Sequence, residues 1–155
     1  MMNKYEQTIA ELGLMIPEPT IPVANFVPYV VADNLVYISG QIPLQEGRAS
    51  FVGKLGREFN VEEGQKAARC CALYVLAHIR HACGGDLGRV VRCIRLGGFI
   101  NSEPDFTDQP RVMNGASDLI VSAFGERGRH ARTAVGVSSL PFGVAVEVDA
   151  IFEIA

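Results

Sequence analysis

VAVEVDAIFEIA, residues 144–155, decides the architecture. Val144, Val146, Val148, Ala150, Phe152 and Ile154 fall on one side of an extended chain. Ala145, Glu147, Asp149, Ile151 and Glu153 fall on the other. A period of two with one apolar side marks a strand with one face on a core and one wetter face. Working outward, LPFG at 140–143 reads as a turn and ARTAVGVS at 131–138 as a preceding strand. RVVRCIRLGGFI, 89–100, is β-branched with interrupting charges and reads as a further strand.

The period changes to that of a helix over 61–83. Ala68, Cys71 or Ala72, Val75, Ile79 and Ala82 share one side, Glu62 and Glu63 sit where a helix dipole favours negative charge, and Gly84-Gly85 ends the run. Arg69 and Arg80 are expected to face water. A second helix is expected from Thr107 or Asp108 as cap, through Pro110, to about Phe124, with Gly125 as its stop. Residues 3–13 read as a short helix. PEPTIPVANFVPY, 17–29, reads as proline-biased coil, and 29–39 as a hairpin turning at Asp33-Asn34. Residues 44–60 are turn-rich, with a short strand at 49–52. The order α β β (β) α β α β β gives an α+β fold: a mixed sheet with two long helices on one face and the other face left for a partner. One domain is expected over 1–155, with an N-terminal helical extension over about 1–15.

Composition narrows the function. The 155 residues are 48% apolar and 20% charged, and the formal charge is −3. That balance gives no electrostatic reason to expect nucleic acid or an anionic membrane as partner. The apolar excess suits a buried interface between identical chains. MMNKYEQTIAELG lacks the apolar core of a signal peptide, no run of 18 apolar residues occurs, and cytoplasm is the expected compartment. Cys70, Cys71, Cys83 and Cys93 show no CxxC spacing and read as small hydrophobes in a reducing compartment. His78, His81 and Cys83 lie close together on the first long helix; they are read as ordinary helix residues, and no metal is expected.

Walker A, GxGxxG, HExxH and GxSxG motifs are all missing. The histidines are His78, His81 and His130, and nothing marks a serine as nucleophile beside them. Arg132 stands out, at a strand start between Ala131 and Thr133. A guanidinium offers a planar fork that matches a carboxylate. Arg132 is therefore read either as an anion anchor or as a partner of Glu147 or Asp149 on a wet sheet face. Antiparallel pairing of the last two strands would bring Glu147 near it, to neutralise it, position water or shuttle a proton. Gly40, in SGQIP, permits close backbone approach to a ligand or simply makes a turn. Asn114 opens the second helix with an amide that can bond a ligand, a loop or water.

SGQIP, ARTAVGVSSLP and VAVEVDAIFEIA together resemble the RidA family (YjgF/YER057c/UK114) over roughly residues 22–154. The resemblance implies a chorismate-mutase-like fold, assembled as a homotrimer with a barrel-like interior and ligand pockets between subunits. It implies hydrolysis of reactive 2-imino or 2-enamino acids to 2-keto acids and ammonia, with no cofactor. A non-catalytic protein of the same fold that binds a small carboxylate or metabolite is the alternative. Carried over by position, the family's carboxylate-binding arginine is Arg132 and its glutamate Glu147. Ser39 and Gly40 fall on the SGQ motif, and the asparagine falls on Asn114. The tyrosine of many deaminating members falls on Phe26, with Tyr29 three residues away. The cysteine after the arginine is replaced by Ala134. Losing the tyrosine hydroxyl removes a donor to substrate or water.

Overall fold

A computed structural model describes residues 2–155. Asn3 begins the first helix, α1 (Lys4–Glu11), through a capping box: its side chain accepts from the Glu6 amide at 3.0 Å, and the Glu6 carboxylate accepts from the Asn3 amide at 3.2 Å. Strands β1 (Tyr29–Ala32) and β2 (Leu35–Gln41) form the expected hairpin, with Asp33 at φ 53° in its turn. The strand expected at 49–52 is replaced by a small ribbon, β3 (Leu44–Gln45) and β4 (Arg48–Ala49). Phe51 takes a positive φ of 52°, which breaks the extended run, and Val52 then makes an isolated antiparallel bridge to Val144.

Helix α2 (Val61–Ala82) starts at a second capping box, Asn60 with Glu63. Strand β5 (Val90–Asn101), helix α3 (Gln109–Phe124), strand β6 (Ala131–Val137) and strand β7 (Val146–Ile154) complete the chain. Asp108 occupies the cap of α3 without a side-chain bond, and Gly125 closes that helix at φ 64°.

The five-stranded sheet runs β1-β2-β7-β5-β6. β5 and β6 are parallel, joined through α3, and the other pairs are antiparallel. β7 lies between β2 and β5, so the expected pairing of β6 with β7 does not occur. A strand–helix–strand unit packs back on its own sheet as a parallel pair. The chain then crosses the end of β5 to reach β7. The Asn101 side chain holds this crossover, donating to Val144 O at 3.1 Å, while Lys54 Nζ donates to Ser138 O and to Asn101 Oδ1 (2.5 and 2.7 Å).

Alternation along β7 is as the sequence indicates. Val146, Val148, Ala150, Phe152 and Ile154 are buried toward the helices, and the residues between them are half-buried on the opposite face. α2 and α3 cover one face only. The open face carries Val30, Tyr37 and Val135, each 40% or more exposed. The described residues form an open sheet and no closed barrel. Cys71, Cys83 and Cys93 are buried free thiols, and burial pushes Cys93 up to about 12. Arg80 does not face water as expected: its Nη1 pairs with Glu6 at 3.0 Å and ties α1 to α2. No described helix is long and apolar enough to cross a membrane.

α2 and α3 pack closely because Gly115 has no side chain. A Cβ there would lie 2.7 Å from the Gln65 carbonyl carbon. Backbone cannot swing aside as a side chain can, so Gly115→Ala should cost about 2–3 kcal/mol. Urea unfolding of the variant at pH 7 measures this; an unchanged midpoint would contradict the packing.

Candidate functional site

Register decides which candidates meet. Arg132 lies beside Leu96 of β5, which in turn lies beside Ala150 of β7; Leu96 and Ala150 are buried under the helices. Arg132 accordingly turns toward α3. Its Nη1 donates to Asn114 Oδ1 (2.9 Å) and Ser117 Oγ (3.2 Å), and its Nη2 donates to Pro110 O (3.2 Å). All three acceptors are neutral. Neither Glu147 nor Asp149 is its partner: among the described residues no carboxylate lies within 4.0 Å of it, and Asp149 pairs with Arg95 at 3.4 Å. Three of the five guanidinium N–H groups are thus engaged. The Nε–H and one Nη2–H remain, two donors on two nitrogens, as a carboxylate fork requires.

Glu147 lies beside Phe99 on the other parity, so it projects from the open face. Arg132 and Glu147 therefore occupy opposite faces of one sheet, two strand spacings apart and offset by three residues along the strands, about 14 Å in all. The expectation that they are neighbours within one chain is corrected by this register.

Glu147 instead meets Gly40. A bulge in β2 between Ile38 and Gln41 carries Ser39 and Gly40 past its carboxylate. A Cβ on Gly40 would sit 2.9 Å from Glu147 Cδ, so only glycine leaves the carboxylate its place. Among the described residues Glu147 has no ion pair and no side-chain hydrogen bond. Burial raises its pKa above the ordinary value, and the Asp149 charge on the same face adds to the rise.

The remaining candidates divide. Ser39 Oγ donates to Val27 O at 2.9 Å, so that hydroxyl fastens the incoming arm to β2. Phe26 on that arm is 58% exposed. Tyr29 is not brought to Glu147: it pairs with Ile38 on the helix face, and its hydroxyl meets His81 Nδ1 at 2.7 Å. His78 is buried and meets Thr20 Oγ1 through Nε2 at 3.0 Å. Among the described residues no group of three His, Cys, Asp or Glu side chains is placed to hold a metal ion. Ser117 and His130, both beside Arg132, were not legible as site residues, since no motif marks them. A hollow of about 400 Å³ between α2 and α3 is lined by Gln65, Arg69, Gly115 and Asp118, away from both groups.

The candidates thus fall into two separate groups within one chain. Arg132 and Asn114 stand at the β6 edge on the helix face; Glu147, Gly40 and Ser39 stand on the open face at β2 and β7.

Residues 6–153 match the family model described as "YjgF/chorismate_mutase-like, putative endoribonuclease". The chain is 50% identical over 153 residues to protein TCP17 of Trypanosoma cruzi, covering 98% of this chain and 95% of that one. A crystal structure of a protein of unknown function from Agrobacterium tumefaciens is 46% identical, covers 97% of this chain and 92% of its own, and superposes with a TM-score of 0.93. The Escherichia coli protein TdcF, solved with bound serine, is 26% identical over 89% of this chain and 94% of its own, with a TM-score of 0.60. The chain belongs to the YjgF/YER057c/UK114 (RidA) family.

The raised pKa of Glu147 has a sign that can be measured. A carboxyl whose folded pKa exceeds its unfolded value favours folding only when protonated. Its ionisation therefore opposes folding at neutral pH. Glu147→Gln should raise the unfolding free energy at pH 7, and the gain should vanish below about pH 4, where the unfolded carboxyl is itself protonated. Denaturant melts across that range check this. Equal stability of the two proteins at pH 7 would contradict it.

Proposed function

We propose that the protein hydrolyses reactive 2-imino or 2-enamino acids to 2-keto acids and ammonia in pockets between copies of a homotrimer. Arg132 of one copy holds the substrate carboxylate, and Glu147 of a neighbouring copy handles water. One observation carries this reading: the Arg132 guanidinium is held by neutral oxygens, faces no carboxylate, and keeps two N–H donors unused.

The division into half-sites supports the intersubunit placement. Opposite faces of one sheet cannot line a single small pocket, but a closed ring of copies can bring one subunit's β6 edge to the next one's open face. The exposed Val30, Tyr37 and Val135 give that face apolar area to bury. Serine in TdcF is a small molecule with a carboxylate, in keeping with a carboxylate ligand here.

In the reaction, an enamine first takes a proton at C3, which gives the same protonated imine as an imino acid takes on at nitrogen, and water then adds to C2. The new C–O bond replaces the C=N π bond. The C–N bond then breaks, ammonia leaves, and loss of the hydroxyl proton forms the keto group. Glu147 suits both proton movements, because burial moves its pKa toward that of a usable base and acid. An unpartnered, half-buried carboxylate disfavours folding and is understandable where chemistry uses it. Gly40, having no side chain, leaves that carboxylate its place against β2.

Phe26 favours a second reading, in which the pocket binds a small acid without turnover. It lacks the hydroxyl that many deaminating relatives are expected to use. Cleavage of RNA fits less well. His78 is buried against Thr20, and His130 is bonded at both ring nitrogens, so neither is free to act on a phosphodiester.

An imine generated in situ by an amino-acid oxidase tests the enzyme. Wild-type protein should speed keto-acid release, and Arg132→Ala should slow it about 100-fold or more. Co-refolding equal amounts of Arg132→Ala and Glu147→Gln chains should restore about a quarter of wild-type activity, the share of sites that draw an intact residue from each copy. Release no faster than in buffer would end the catalytic reading. Saturable 2-keto-acid binding by calorimetry would then select the binding-only one. No recovery on mixing would place both residues on one chain's side of the pocket.

A further inference from the structure

The contacts of Arg132 continue into a chain of hydrogen bonds with one direction. Ser117, three residues after Asn114 on α3, places its Oγ 2.9 Å from His130 Nε2. His130 Nδ1 lies 2.6 Å from Gly128 O. A carbonyl oxygen only accepts, so the proton of the neutral ring sits on Nδ1, and Nε2 must accept. The Ser117 hydroxyl therefore donates to His130. Its lone pairs are left to accept from Arg132 Nη1, at 3.2 Å. Every donor points the same way, from Arg132 through Ser117 and His130 to Gly128 O, and bonds so aligned strengthen one another.

The far end of the chain is fixed. Gly128 is buried, and a Cβ there would lie 3.0 Å from the Ile120 carbonyl carbon, so the loop after α3 is pressed against that helix's backbone. Burial lowers the pKa of His130, the bond to Gly128 O acts against this, and the Arg132 charge adds to the lowering. Neutral imidazole is accordingly the form present at pH 7.

We propose that Ser117 and His130 are positioning residues that hold the Arg132 guanidinium in one rotamer, with its Nε–H and second Nη2–H turned to the ligand carboxylate. The inference rests on the reading of Arg132 as the carboxylate anchor. A free arginine must be ordered when the ligand binds, whereas this one is ordered in advance. The two residues touch no ligand; they act on affinity through Arg132.

Calorimetry with 2-oxobutanoate on the full chain at pH 7, together with ¹⁵N NMR of the histidine rings, tests this. Ser117→Ala and His130→Ala should each weaken binding about 3- to 10-fold with the secondary structure intact. Ser117→Thr, which keeps the hydroxyl, should restore wild-type affinity. Arg132→Ala should abolish binding. The wild-type His130 ring should show the Nδ1–H tautomer, and Ser117→Ala should shift its Nε2 resonance. Wild-type affinity in Ser117→Ala alongside lost binding in Arg132→Ala would overturn the positioning role and leave the anchor standing. An Nε2–H tautomer would likewise overturn it. Arg132→Ala binding as tightly as wild type, or no binding by wild type at all, would overturn the anchor and this inference with it.

Discussion

Parallel pairing of β6 along the outer edge of β5 is the constraint on which the site depends. In that register Arg132 shares a parity with Leu96 and Ala150, and the guanidinium must lie against α3. With β7 on the other side of β5, the same parity sends Glu147 to the open face. Slipping β6 by one residue would turn Arg132, Ala134 and Gly136 to the open face and set Thr133 and Val135 against the helices. The observed register is the one that fits, because even a Cβ at Gly136 would lie 2.8 Å from Gln109 Nε2 at the start of α3.

Much of this was legible in the sequence. The alternation over 144–154 identifies which residues of β7 are buried, and the helical period over 61–83 finds α2 almost to the residue. Strand partners were less legible. LPFG at 140–143 looks like a hairpin turn, yet the chain there crosses the end of β5, held by Asn101 and Lys54 from segments far away in sequence. Local composition cannot show a connection whose carbonyls are satisfied by distant side chains. Arg132, Glu147 and Gly40 stood out by residue type and position. Ser117 and His130 did not, because their meeting depends on how α3 docks. Tyr29 was a candidate by proximity in sequence, and the hairpin register turns it to His81 instead.

Each half-site carries something that folding alone does not explain. Glu147 is a carboxylate kept half-buried without a partner, against its own preference for water. Among the described residues Arg132 is a cation bonded only to neutral oxygens, although Asp149 and Glu147 lie two strands away on β7. Asp149 is taken up by Arg95, and Gly97 makes room for that pair: a Cβ there would lie 2.9 Å from Arg95 Nη1. Opposite charges are thus held apart inside one chain, as the proposed anchor and proton-transfer roles require. Family membership, the exposed apolar residues of the open face and this separation all favour a site completed by a second copy.

A crystal structure with a bound 2-keto acid tests the central claim most directly. The carboxylate should lie on the Nε–H and Nη2–H of Arg132, at hydrogen-bond distance from both, with Glu147 of an adjoining copy on the far side of the ligand. A keto acid bound elsewhere, while Arg132 keeps only Pro110, Asn114 and Ser117, would contradict it.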